Sequence, residues 1–189
     1  KAAMGWESAW AGVTKTVDGT PEQLQEVEDG LRGLTAVMPA AHAEIAGVAE
    51  AAGQLGIKTD SVVAFTKTMI DLGETTNLSA NDAATSLARF TNIMGTSQDK
   101  VSNLGSALVD LGNNYATTEH EIMEMAMRLS GAGKQIGMSE GEVLGLSAAL
   151  SSVGIEAEAG GSAMSKVMID IASSVDKGGD RLQQFAAIS

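Results

Sequence analysis

His120-Glu121-Ile122-Met123-Glu124, with Glu119 just before it, gathers an imidazole and three carboxylates on one short helical stretch. It is the densest set of chemistry-bearing side chains in the sequence. A zinc-protease helix needs two histidines four residues apart, so that both imidazoles meet the metal from one face. Here the second of those positions holds Glu124. The alternative role for Glu119, Glu121 and Glu124 is structural: acids in a first turn are favoured by the positive end of the helix dipole. That role outweighs a metal site.

The other chemical signals are weaker. Gly131-Ala132-Gly133-Lys134 has the tail of a phosphate-binding loop, but position 128 is Arg where the first glycine belongs. Position 135 is Gln where the motif requires Ser or Thr, and no strand precedes it. Only two histidines are present to serve as a base, His42 and His120, and no serine lies in a nucleophile-elbow context. His42 lies on an Ala-rich helix and is expected at the surface. Asn77-Leu78-Ser79 is formally a glycosylation sequon, and a helix start explains it better. Met123, Met125 and Met127 could form an adaptable binding face, although methionines at helical spacing more often fill a core. There is no cysteine, hence no thiolate or disulfide. No catalytic, cofactor-binding or metal-ligating residue is assigned, and no enzyme activity or cofactor is expected.

The bulk numbers agree. Lys and Arg total 12 against 24 Asp and Glu, a formal net charge of −12. That disfavours phosphate-backbone binding, which needs a basic face, and sequence-specific nucleic-acid binding is not expected. Aromatics are 3% of the chain while methionines number 10, so the core is made of small and flexible side chains. No run approaches the roughly 18 apolar residues of a membrane helix. The chain begins with Lys1 rather than an initiator Met and is expected to be a fragment of a longer polypeptide.

The elements that position these residues are punctuated by glycine. Gly56, Gly73, Gly95, Gly112, Gly137 and Gly154 follow amphipathic segments, and every second one recurs after 39 to 42 residues. A period in that range indicates stacked helical hairpins. Each glycine fits the left-handed position at which a chain leaves a helix. Ser79 with Asp82, Thr118 with Glu121, Ser139 with Glu142 and Thr20 with Gln23 have capping-box spacing. Thr59 or Asp60, and Thr96 or Ser97, are expected to cap the remaining starts. Met38-Pro39 should end a helix, because a residue before proline is pushed out of the α region. Trp6 and Trp10, four apart, share a face and should stack on the body.

The expected core is Leu24, Val27, Leu31 and Leu34; Ile45, Val48, Ala52 and Leu55; then Val62, Val63, Phe65, Met69, Ile70 and Leu72. It continues through Ala83, Leu87, Phe90, Ile93 and Met94, and through Val101, Leu104, Leu108 and Leu111. Ile122, Met125, Ala126, Leu129 and Ile136 follow, with Val143, Leu146, Leu150 and Val153. Residues 154–161 form an acidic loop, 162–175 a helix bearing Met164, Val167, Met168, Ile171 and Val175, and 180–188 a last helix with Leu182 and Phe185. The fold class is all-α: stacked short helical hairpins, roughly eight or nine helices, in a solenoid-like repeat of two-helix units. Three regions are expected: an N-terminal helical lead-in (1–38), a core helical-repeat domain (39–176), and the start of a further helix (177–189).

Several ordered stretches carry a resemblance. These are Gln54-Leu55-Gly56-Ile57, Thr76-Asn77-Leu78-Ser79, Leu87-Ala88-Arg89-Phe90, Gly137-Met138-Ser139-Glu140, Leu150-Ser151-Ser152-Val153-Gly154-Ile155 and Ala159-Gly160-Gly161-Ser162-Ala163-Met164. In this order the chain resembles, over nearly its whole length, the core domain of phage tail tape measure proteins. The resemblance implies a structural virion component in the tail lumen near the tip. It would act in tail assembly, length determination and genome ejection, without catalytic residues. It implies contact with tail tube and distal tail or baseplate hub proteins, and several copies per tail, with a trimer expected. Assembly chaperones would bind it in the host cytoplasm. Host-membrane contact at ejection is a further expectation of the family, although the segment lacks Lys/Arg-lined amphipathic helices. The rival reading is a cellular helical-repeat scaffold or adaptor without catalytic activity.

Overall fold

The computed structural model of the chain describes residues 2–177 and residue 187. Apart from residue 187, the helix expected over 180–188, with Leu182 and Phe185, and the Gly178-Gly179 break lie outside the described residues. Among those described, the architecture is all-α, with nine α-helices and no strand. They are α1 (Ala2–Val13), α2 (Pro21–Val37), α3 (His42–Gln54), α4 (Val62–Thr75), α5 (Ala80–Met94), α6 (Val101–Asn114), α7 (Glu119–Gln135), α8 (Glu140–Ser152) and α9 (Ser162–Lys177).

Alternate helices are neighbours. α1 packs on α3, α3 on α5, α5 on α7 and α7 on α9; beside this row α2 packs on α4, α4 on α6 and α6 on α8. The rows are joined by the sequential pairs, α7 with α8 and α4 with α5 above all. One apolar cluster runs through the body from Trp6 to Met168. Each aliphatic side chain it buries is worth about 1.5–3 kcal/mol relative to exposure.

Hydrogen bonds between successive units repeat the period seen in the sequence. Asn92 Nδ2 donates to Leu55 O (3.0 Å). Gln98 Nε2 donates to Gly56 O (3.2 Å), and its Oε1 accepts from Lys58 N–H (2.8 Å). His120 N–H donates to Asn77 Oδ1 (3.2 Å), and Thr96 Oγ1 donates to Glu140 Oε1 (2.6 Å). These partners lie 37 to 44 residues apart, so loop polar groups are satisfied by the next unit.

Helix starts follow the sequence where a hydroxyl is followed by a long acid or amide. Thr20, Thr118 and Ser139 form complete capping boxes with Gln23, Glu121 and Glu142. Ser79 accepts from the Asp82 amide, but no return bond from Asp82 to the Ser79 amide completes a box. Aspartate is one methylene shorter than glutamate. Two expected caps are corrected. Neither Thr59 nor Asp60 caps α4, and Thr96 and Ser97 do not cap α6: 3₁₀ turns, Thr59–Ser61 and Gln98–Lys100, lead into Val62 and Val101. The tighter turn already fixes the φ and ψ of the first helical residues, so no side-chain cap is needed there.

The glycines divide into two kinds. Gly56, Gly95, Gly137 and Gly154 have φ between 74° and 83°, as expected for left-handed helix exits. Gly73 and Gly112 do not. They lie inside α4 and α6, which run on to Thr75 and Asn114 and leave through extended Thr76 and Tyr115. Their role is close approach. A Cβ on Gly73 would stand 3.0 Å from the Ala80 nitrogen, and one on Gly112 would collide with the Glu119 carboxylate, each the first residue of the following helix.

The core matches expectation through α6, apart from Leu24, Leu55, Val63, Met94 and Leu111, which are half-buried, and exposed Ile93, and departs further after that. Ile136 and Val153 are exposed, Val153 at 72%. α8 turns Val143, Leu144, Ser147 and Ala148 inward, leaving Leu146 and Leu150 half-buried. α9 seats Met168 and, partly, Met164, while Val167, Ile171 and Val175 are exposed. The reason is topological: among the described residues α9 packs on α7 and on residues 157–161.

Among the described residues, one buried side-chain polar atom lacks a partner. Thr66 on α4 is fully buried, and its Oγ1 makes no hydrogen bond. Thr66→Val keeps the shape and removes the stranded hydroxyl. It should stabilise the fold by about 1 kcal/mol, raising Tm by roughly 2–4 °C. A lower Tm in a thermal melt would show that the hydroxyl is satisfied.

The first helix is held by a charged aromatic stack. Trp6 and Trp10 lie parallel with centroids 6.4 Å apart, Arg32 sits 4.8 Å over the Trp6 ring, and His42, exposed as expected, meets it edge-on. Trp6 Nε1 donates to Glu28 Oε1 at 2.9 Å, and Arg32 donates to the same oxygen. The Trp6 bond foremost, with help from Arg32, holds the Glu28 carboxyl below the usual range. A lowered folded value stabilises the fold above the unfolded value, about 4.3, and that contribution is lost as pH falls through the folded one. Acidification from about pH 5 to 3 should therefore loosen α1, read as a red shift of tryptophan emission, and Glu28→Gln should flatten the response.

Candidate functional site

A groove of about 700 Å³ has a size suited to a ligand or a peptide side-chain cluster. It lies over α5 and α7, with residues 154–158 as its far wall. Leu78, Met123, Met127 and Ile155 supply apolar lining, and Arg89 and Arg128 project from the helices.

The acidic groups of the α5 and α7 wall are already engaged. Asp82 accepts from the Ser79 hydroxyl at 2.6 Å. Glu121 accepts from the Thr118 amide at 3.0 Å, and this bond, then the Thr118 and Thr117 hydroxyls, hold its carboxyl below the usual range. Both sit in the first turn of a helix, where the dipole favours a negative charge. His120 Nε2 stands 3.7 Å from Glu124 Oε1, an exposed pair. Glu119, buried at the start of α7, packs against Gly112 instead of joining them. Among the described residues no three His, Cys, Asp or Glu side chains converge as metal ligands.

The other sequence signals resolve similarly. Gly131 to Lys134 lies within the last turns of α7, with Gly133 packed against Val143, so its amides serve the helix and do not form a phosphate cradle. Met123 and Met125 are core, while Met127 is half-buried at the groove. No helix among the described residues is long and apolar enough to cross a membrane.

Sequence reasoning missed Arg89 and Arg128. A signal was available: each stands ten residues after its helix cap, Ser79 and Thr118, and the two arginines are 39 apart. They occupy the same place on consecutive helices of one row. Among the described residues neither is within ion-pair distance of a carboxylate.

This arrangement offers a surface for contact, and among the described residues its side chains form no metal-ligand cluster. The comparisons point the same way. The family model described as phage-related minor tail protein matches residues 24–187, from within α2 nearly to the end of the chain. The chain belongs to the phage-related minor tail protein family. No curated protein and no solved structure matches it. As a minor tail protein it is a structural component of a phage tail, a class that is typically non-catalytic. Membership places the minor tail protein in the virion and implies contact with other tail components.

Proposed function

We propose that this chain is the ordered helical domain of a tape measure protein, carried in the tail lumen near the tip. The observation that carries the proposal is the family match over residues 24–187 on a body of short, capped helices that stack in order. In this proposal the alternate packing of the two helix rows is a solenoid-like repeat, with a lead-in (1–38), a repeat core (39–176) and a continuing helix from 177. The domain acts by contact. It associates with further copies, a trimer in the simplest case, and with tube and distal hub proteins. Chaperones hold it in the host cytoplasm before assembly, and it takes part in length determination and then in genome ejection, when it touches the host membrane. It is not an enzyme and carries no cofactor.

The test is the intact mass of the polypeptide that contains this segment, measured on gradient-purified particles. A chain several-fold longer that co-sediments with tail tubes is expected. A chain of about this length that is absent from particles would overturn the proposal and favour a cellular scaffold.

A further inference from the structure

The groove over α5 and α7 has uncommitted charges of opposite sign on opposite walls. Arg89 and Arg128 stand on the helices, one unit apart and without carboxylate partners among the described residues. Glu156 and Glu158 line the far wall, exposed and likewise unpaired. The far wall is also where the minor tail protein departs from its own repeat. After α4 and α6 the chain leaves extended and reaches a capping Ser79 or Thr118 within a few residues. After α8 it turns at left-handed Gly154 and enters a π-turn, Ala157–Gly161, before α9. Single π-turns are infrequent and often mark functional positions. The turn is anchored at one end by Ile155 N–H on Leu150 O (3.2 Å) and at the other by Gly161 packed against Arg128. Between the anchors lie the two glutamates.

We infer that residues 154–158 are a charge-latched strap that closes over the groove, with Glu156 and Glu158 pairing to Arg89 and Arg128. Closure covers the half-buried apolar lining at Met127, and opening exposes it. The latch uses solvent-facing pairs, so it is weak, reversible and sensitive to salt. This inference concerns the free chain and is independent of the tape-measure proposal.

The chain lacks cysteine, so two can be introduced for spin labels at exposed Asn81 and Ala159 by Asn81→Cys and Ala159→Cys. Distance distributions at low salt should contain a short component that shrinks at high salt. Glu156→Lys with Glu158→Lys should reduce that component about two- to fivefold for each pair lost. Adding Arg89→Glu and Arg128→Glu should restore it, because the swapped charges re-form the latch. Glu156→Gln with Glu158→Gln serves as a milder variant if reversal perturbs folding. A distribution unchanged by salt and by both double variants, or no recovery in the swapped chain, would overturn the inference.

Discussion

Phe90→Ala should cost about 3–5 kcal/mol, the range for truncating a fully buried phenylalanine. Phe90 is 0% exposed on α5, a helix that touches α3, α4 and α7 at once. Domains of this kind are stable by only about 5–15 kcal/mol, so the loss is a large fraction of the whole. The expected fall in Tm is roughly 6–20 °C. The form of the transition is as informative as its midpoint. In a stack each unit contacts its neighbours, so weakening one joint uncouples the parts on either side. Both tryptophans lie in α1 and report on the far end of the row. Helix content should therefore begin to fall at lower denaturant than tryptophan emission changes. A cost below about 1 kcal/mol would mean that the α3–α5–α7 row is not packed around this side chain.

How far this arrangement could be read beforehand depends on which signals were unique. Thr118 with Glu121 and Ser139 with Glu142 fixed two helix starts because a hydroxyl and a long acid at that spacing have one good geometry. Gly56 and Gly95 fixed two helix ends for a similar reason, a positive φ that other residues adopt only at a cost. Gly73 and Gly112 carry the same letter for another purpose. Telling a turn glycine from a contact glycine requires knowing that Ala80 and Glu119 cross there. α8 failed differently. It is apolar on nearly every side, so periodicity could not choose between the Val143–Leu146–Leu150 stripe and the Val143–Leu144–Ser147–Ala148 face that α6 and α7 cover. The groove was least legible. Its arginines are ordinary surface residues until the stack sets them side by side, and its far wall is formed by a turn with no capping motif to announce it.

Gly53→Ala should destabilise the chain even though alanine is the better helix former. On α3 the change gains about 1 kcal/mol of helix propensity. Against that, a Cβ at this position would stand 2.7 Å from the carbonyl carbon and oxygen of Thr16. The obstacle is backbone and cannot rotate away. It is also tied down, since Thr16 Oγ1 donates to Glu50 O at 3.0 Å, one turn earlier on the same helix. Overpacking of this sort costs about 1–3 kcal/mol, with more where the backbone must shift, so the clash outweighs the propensity gain. The segment that gives way is the chain leaving α1, and Trp6 should lift off its Glu28 and Arg32 partners on α2. Tryptophan emission should shift red at a lower temperature than in the unaltered chain. Gly47 provides the control on the same helix: a Cβ there meets nothing within 4 Å. Gly47→Ala should therefore raise stability by about 0.5–1 kcal/mol. Opposite signs from the same substitution in one helix would locate the cost in the α1–α3 contact. If both substitutions stabilise, α1 is not seated against α3 as described.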